Sequence, residues 1–561
     1  MSSNELLNRM EEILEMLYPE EDVNKILDDI KTIIERYKKS ETILEKRKKY
    51  EDQIVLNEDD VLLITYADSI HKQGEKPLQT LHRSLINYVK SAVTCVHILP
   101  FFPSSSDGGF SVIDYKKVDP VLGTWEDIQN ITRDYRLMAD LVMNHVSSRS
   151  GWFQGFLNGE DRYRDYFLSY DQPVDMPKVF RPRVHPLLTA FDTALGKKYV
   201  WTTFSEDQID LNFHNPQVTL EILEVFMFYL SKGIEIIRLD AIGYVWKEPE
   251  TSCVNLPQTH EMVKLLRTVA EYMAPYAIIV TEVNFPYKDN VSYLEARHEA
   301  NMAYHFSLPP LVIDSFIQKD TSYLQKETER IRQDLLFLNY LASHDGIGVS
   351  GAKEILPRSR FERLLEVTTE HGGVISYKAT QEGKVPYELN ITYYDAVNDP
   401  SHPDPEADVK RFMAAASIML TDKGVPGIYI HCLLGSRNYL EGVKETGINR
   451  MINREKLSAE EVYKDLSNPE SLRYQVLEKF LYLLKVRKEI QAFHHSVERT
   501  VLQSDERLFI IERIYKEESV LAVVNVSDDT IKLAQYKGKY DLISKVLFEG
   551  WVAPYGVYFL K

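Results

Sequence analysis

The sequence predicts an α/β protein: a (β/α)8 barrel of the TIM type with an inserted subdomain, a C-terminal antiparallel β-domain and an N-terminal helical extension. Three observations predict it. Between residues 61 and 430, eight short apolar runs recur with longer amphipathic stretches between them, the pattern of parallel strands joined by helices. Beyond about residue 495 the pattern turns short, alternating and β-rich, as in Phe509-Ile510-Ile511, 520–524 and 557–560. At 561 residues the chain also exceeds one ordinary domain, which leaves room for a large core and accessory pieces.

Taken in order, residues 1–55 carry apolar side chains at helical spacing (Leu6, Leu7, Met10, Ile13, Leu14 and Leu17), then a charged stretch over 41–49. They predict a helical extension that serves packing or dimerisation. The barrel is expected over 56–146 and 212–494, with strands at 61–65, 95–99, 137–142, 234–239, 278–281, 303–307, 337–341 and 427–430. Helices are expected between them, for example over 218–230 and 258–272. The stretch 147–211 is too long for a simple connection and predicts a small B-type subdomain over one barrel rim. Residues 495–561 predict a β-sandwich. No internal repeat is visible beyond the strand-helix alternation.

Composition narrows the function. Hydrophobic residues at 44% and charged residues at 27%, with 24 Gly and 24 Pro, exclude fibrous and disordered classes. A net charge of −18 argues against a nucleic-acid partner, so any cations that bind an anion must be local to a site. Cys95, Cys253 and Cys432 show no metal-like spacing and no disulfide framework. The first residues lack the basic start and apolar core of a signal peptide, and no run is long enough to cross a bilayer. The expectation is a soluble cytoplasmic protein with no membrane partner, a homodimer remaining open. Neither a Gly-rich nucleotide loop nor a carboxylate-dense calcium loop is present, so no cofactor and no metal are expected.

In a parallel barrel the active site lies at the C-terminal ends of the strands, so polar residues directly after apolar runs are the candidates. Four places stand out: 140–145 with Asp140, Asn144 and His145; Arg238-Leu239-Asp240; Thr281-Glu282-Val283; and Ser343-His344-Asp345. One acid in such a place is more often an N-cap or turn residue. Delivered together to one rim, they make a polar cluster that costs stability unless ligands or partners satisfy it. Two carboxylates facing each other across a glycosidic oxygen are what retaining glycoside cleavage requires. Arg238, two residues before Asp240 and on the same strand face, keeps Asp240 ionised as a nucleophile. Glu282 needs the opposite, a raised pKa, to arrive protonated. His145 and His344 suit hydrogen bonds to sugar hydroxyls, with a buried structural role as the bland alternative.

These four segments resemble, in order, the four signature regions of the α-amylase superfamily, glycoside hydrolase family 13. The resemblance implies Asp240 as nucleophile, Glu282 as general acid/base and Asp345 as the carboxylate that stabilises the transition state through sugar hydroxyls. Arg238, His145 and His344 would complete the glucose subsite. From about residue 61 onward, VLLITYAD, HILPFFPSSSDGGFSVIDY, RLDAIGYVWKEPETSC, FSLPPL and SHDGIGV are similar to the sucrose phosphorylase branch of that family. This implies Asp107, Phe110, Phe204, Gln208 and Arg450 as further glucose contacts.

In that branch inorganic phosphate, a co-substrate, attacks the glucosyl-enzyme where a hydrolase uses water. The resemblance points to Arg183, in Arg181-Pro182-Arg183, and to Tyr387 and Glu388, in PYELN, as loop residues that meet phosphate or the acceptor. A guanidinium suits that task; the alternative is that Arg181 and Arg183 are solvated loop charges. The extension, with ITYAD, RPR, LLT, WTTFSEDQIDLN, ASHDGIGV and PYELN, is most similar to the glucosylglycerate phosphorylases of the branch, which implies reversible phosphorolysis of 2-O-α-D-glucosyl-D-glycerate. A sucrose or other α-glucoside phosphorylase is the alternative, followed by an α-glucoside hydrolase. A non-catalytic sugar-binding protein should have lost a catalytic carboxylate, and all three stand.

Overall fold

The eight apolar runs close into one parallel barrel. In a computed structural model that describes residues 3–183, 185–295, 298–380 and 383–561, the strands are β1 (Leu62–Thr65), β2 (Cys95–Ile98), β3 (Arg136–Leu141), β4 (Ile234–Leu239), β5 (Ile278–Thr281), β6 (Met302–Tyr304), β7 (Phe337–Tyr340) and β8 (Val425–Tyr429). Neighbours pair in chain order and β8 returns to β1, with Leu62 opposite Gly427. Every residue of these strands is buried. One face packs the barrel interior and the other the helix layer, so the strands read as continuous apolar runs.

Two strands depart from their expected bounds by more than one residue, each for a physical reason. The run expected over 303–307 ends at Tyr304, because the chain turns there into the helix Leu308–Gln318, whose first turn holds Pro309 and Pro310. The last strand starts at Val425, before the expected 427, because Pro426 lies inside it, opposite Asn339. A proline argues against a strand when the sequence is read alone. The helices Pro216–Ser231 and Pro257–Met273 precede β4 and β5. The first is capped by the Asn215 side chain, which accepts from the Gln217 N–H, with proline filling the first turn.

The N-terminal region forms α1 (Ser3–Leu17), α2 (Val23–Tyr37) and α3 (Glu41–Tyr50). It lies on the flank of its own barrel, α1 against Pro257–Met273 and α2 against Pro216–Ser231. Met10, Leu14, Ile30, Ile34 and Ile43 are buried in the main core. Lys46 of α3 pairs with Glu235 at the start of β4, which Arg136 also holds at 2.9 Å.

Residues 147–211 carry the helix Gly151–Leu157 and an antiparallel sheet of Ser169–Tyr170, Gly196–Trp201 and Leu188–Thr193. At the base of this segment His145–Ser147 pairs with Gln208–Asp210. Between β7 and β8, a hairpin of Val374–Thr380 and Gly383–Asn390 takes Ile347–Gly348 as a third strand. The chain ends in a six-stranded antiparallel sheet and a two-stranded ladder, Ile531–Lys532 with Trp551–Val552. Leu508, Ile510, Leu521, Val523 and Phe548 share a core there. Among the described residues no helix is long and apolar enough to cross a membrane.

Candidate active site

The site is organised around one buried guanidinium. Arg238 stands opposite Asp140 in the β3–β4 register. Its Nη1 donates to Asp140 Oδ1 at 2.5 Å and to Asp240 Oδ1 at 2.7 Å. Asp140 also meets His97 Nε2, from β2, at 2.8 Å. This His97–Asp140–Arg238 chain fixes the charge that Asp240 faces, since bonds between ionised groups are short and directional. Asp140 opens the first motif in the sequence, and its place is behind Arg238, away from the cleft.

Glu282 follows β5 and accepts a hydrogen bond from the Ala241 N–H at 3.1 Å, while Arg238 Nη2 lies 3.9 Å from the same oxygen. Ala241 has a left-handed backbone, φ 46°, a strained state for alanine of the kind retained at functional sites. Burial pushes the Asp240 carboxyl up to about 8 against the pull of Arg238, with Glu282 adding to the rise. Burial likewise raises Glu282. Two carboxyls in one buried site do not ionise independently, so the pair shares a proton. The short contact from Arg238 falls on Asp240, which places the anion there and the proton on Glu282. That is the division a nucleophile and a general acid need.

Asp345, after β7, is held below the usual carboxylate range: burial opposes this, but Arg450, His344, Arg454 and Arg238 together prevail. Arg450 Nη1 lies 2.6 Å from Asp345 Oδ1 and Arg454 Nη2 3.6 Å away. The His344 ring stacks on Phe110, with centroids 4.9 Å apart and planes 6° from parallel. Burial lowers the pKa of both His344 and His145, so both are neutral near pH 7. His145 Nε2 donates to the Phe110 carbonyl at 2.9 Å. The Phe204 ring packs 5.4 Å from that of His145.

Gln208 Nε2 donates to Asp107 Oδ2 at 3.1 Å. The loop that carries Asp107, itself left-handed at φ 51°, is pinned by Asp207. That carboxylate accepts from Ser105, Ser106 and Ser148 at 2.5 Å each and from Ser111 at 2.9 Å.

Of the residues expected to act in catalysis or to contact glucose, phosphate or the acceptor, all but Arg238 and Glu388 line one cleft of about 640 Å³. Arg238 lies beneath Asp240. Glu388, expected at the acceptor, departs from that expectation: it is 3% exposed, and its two oxygens accept from Arg450 Nη2 at 2.5 Å and Nε at 3.1 Å. Both oxygens are thus directed at Arg450 and away from a ligand. Tyr387 does line the cleft, yet on a strand where the sequence predicted a loop, because Gly348 pairs with Glu388 beside it. The Arg183 guanidinium lies 5.9 Å from the Tyr387 ring centroid.

Residues 81–346 match the alpha amylase catalytic domain. Over 480 residues, 85% of this chain and 82% of the relative, the chain is 47% identical to a glucosylglycerate phosphorylase of Spirochaeta thermophila. It is 44% identical over 504 residues, 89% of this chain and 90% of the relative, to one of Allomeiothermus silvanus. The chain belongs to the sucrose phosphorylase branch of the α-amylase superfamily. Among solved structures, sucrose 6F-phosphate phosphorylase from Thermoanaerobacter thermosaccharolyticum matches with a TM-score of 0.74 and 28% identity, covering 84% of this chain and 95% of that one.

Within this α-amylase superfamily barrel, the polar pocket beside Asn144 is filled by a lysine. Lys247 Nζ donates to Asn144 Oδ1 at 2.6 Å and lies 2.8 Å from Asp210 Oδ2. Asp210 also accepts from Asn144 Nδ2 at 3.0 Å and from the Thr203 N–H at 2.7 Å. A fixed ammonium therefore carries the positive charge that these oxygens need. Among the described residues no group of three or more His, Cys, Asp or Glu is placed to hold a metal ion. Sequence reasoning also passed over Tyr244, Asn284 and Phe285, which line the cleft. Tyr244 sits four residues after Asp240, and Asn284 and Phe285 directly follow the Glu282 motif. Their proximity to the motifs was the available signal.

Proposed function

We propose that this enzyme is a retaining phosphorylase that reversibly converts 2-O-α-D-glucosyl-D-glycerate and inorganic phosphate into α-D-glucose 1-phosphate and D-glycerate. Asp240 Oδ attacks the anomeric carbon as Glu282 passes its proton to the glycosidic oxygen, which leaves as the glycerate hydroxyl. A β-glucosyl ester on Asp240 results. A phosphate oxygen then attacks the same carbon, Asp240 departs as carboxylate, and Glu282 takes the phosphate proton. Two inversions give retention. Asp345, kept ionised by Arg450, accepts hydrogen bonds from sugar hydroxyls as positive charge develops on the ring.

The observation that carries this reading is the placement of Arg183 and the three carboxylates in one cleft: the nucleophile's site opens onto a cation with no ion pair among the described residues. The relatives named above, glucosylglycerate phosphorylases at 47% and 44% identity, support glycerate as the acceptor. Three buried free cysteines, Cys95, Cys253 and Cys432, support a reducing compartment such as the cytoplasm.

The test is release of glucose 1-phosphate from glucosylglycerate with phosphate present. Free glucose formed at one rate with or without phosphate would overturn phosphorolysis. In the reverse direction, product from fructose and none from glycerate would assign sucrose instead.

A further inference from the structure

Beside the cleft, cations gather without an acidic partner among the described residues. Arg181, Arg183 and Lys378 are each partly buried, and among the described residues none has an ion pair. This stands out in a chain whose net charge is −18. Lys378 comes from the hairpin that carries Tyr387. Its Nζ lies 5.4 Å from the Tyr387 ring centroid and 5.2 Å from that of Phe180. Arg183 lies 5.9 Å from the same Tyr387 centroid. Phe180 packs 5.4 Å from Phe285, and Phe285 lines the cleft with Tyr387 and Arg183.

A half-buried ammonium over aromatic rings gains some cation–π attraction, but it loses hydration that an anion would restore. Among the described residues nothing acidic supplies that here. Burial lowers the Lys378 pKa, and the next contribution comes from another cation, Lys353. The sequence motifs did not single out Lys378, because it lies outside every signature region.

Resting on the phosphorylase reading above, we propose that Lys378 is a specificity-determining residue for the acceptor, its ammonium joining Arg183 across Tyr387 to seat the carboxylate of a short hydroxy acid such as glycerate. Arg183 meets the oxyanion inside the cleft, while Lys378 supplies the second charge from the hairpin. A neutral acceptor gains nothing from Lys378.

The test uses α-D-glucosyl fluoride as donor, which carries no anion of its own, and compares glycerate, phosphate and water as acceptors in the full-length enzyme. Lys378→Met raises the KM for glycerate about tenfold, the loss of one charge-assisted contact. It leaves kcat and the rate with water within about twofold, a change too small to mark a lost contact, and Lys378→Arg restores most of the loss. A structural defect would lower all acceptors together and would not be rescued.

An unchanged glycerate KM, a rise confined to phosphate, or an equal loss with water would each overturn the proposal. A wild-type enzyme that makes no glucosylglycerate fails the function itself and the proposal with it. A wild type that makes it and a Lys378→Met variant with the same KM overturn only the proposal.

Discussion

Glu388 grips Arg450 through two hydrogen bonds, 2.5 Å to Nη2 and 3.1 Å to Nε, and so turns the third face of that guanidinium onto Asp345, 2.6 Å away. Arg450 thereby bridges two carboxylates, one buried behind the cleft and one inside it. Glu388 is tied to the cleft through this bridge.

Glu388→Gln therefore weakens catalysis without removing a substrate contact. The amide keeps one acceptor oxygen and loses the charge that orients the guanidinium. Breaking one charge-assisted bond of this kind costs about 1.5–3 kcal/mol, which appears as a fall in kcat/KM of about tenfold or more. Steady-state kinetics with glucosylglycerate and phosphate check it. Unchanged kcat/KM would show that Asp345 alone holds Arg450.

Asp240→Asn removes the nucleophile, and turnover falls at least about 10⁴-fold. Its effect on stability runs the other way. Burial raises the Asp240 carboxyl, which shares one proton with Glu282, from 3.8 to about 8, so the folded protein binds the pair's proton more tightly than the unfolded chain does. Stability is full below the ordinary carboxylate range and is lost as pH rises through about 8. The variant lacks this loss, so its Tm advantage over the wild type widens across that window. Thermal unfolding from pH 5 to pH 8.5 measures it, and a Tm difference independent of pH would contradict the shared proton.

The barrel and the meeting of Asp240, Glu282 and Asp345 in one cleft were legible because each rests on local signals: continuous apolar runs for strands buried on both faces, and polar residues directly after them. Pro426 obscured the start of β8, since its fault as a ladder residue is visible in sequence and its tolerated place is not. The 374–390 hairpin was hidden for a related reason. Its strands carry Pro386, Lys378 and Lys384, and its third strand is only Ile347–Gly348, too short to read.

Glu388 and Asp207 could not be placed from sequence, because their meaning lies in partners 62 and about 100 residues distant. Lys247 was invisible for the same reason. A lysine in a strand-to-helix segment reads as a solvated charge until the fold buries it between Asn144 and Asp210.

The N-terminal extension belongs to the barrel's own core. Leu14 is fully buried, and α1 packs on Pro257–Met273, on the flank of the barrel. Leu14→Ala lowers stability by about 2–5 kcal/mol through lost burial and a cavity. It leaves kcat and KM unchanged below the unfolding transition. Denaturant unfolding followed beside activity separates the two, and an effect on KM with no change in stability would place the extension in the catalytic cycle.

Lys247→Met tests the ammonium beside Asn144. Lys247 is 3% exposed and Asp210 fully buried, so the methionine fills the volume but leaves the Asp210 carboxylate without its cation. Removing one partner of a buried pair costs about 3–5 kcal/mol, because the remaining charge is uncompensated. Asp210 ties Thr203 to Asn144, and its strand pairs with the one that begins at His145. The damage therefore reaches the glucose subsite, and the KM for glucosylglycerate rises as Tm falls. Lys247→Met with Asp210→Asn removes both charges together and recovers part of the lost stability. If the double variant is no more stable than Lys247→Met alone, the ammonium is not neutralising Asp210, and the pocket is held by packing.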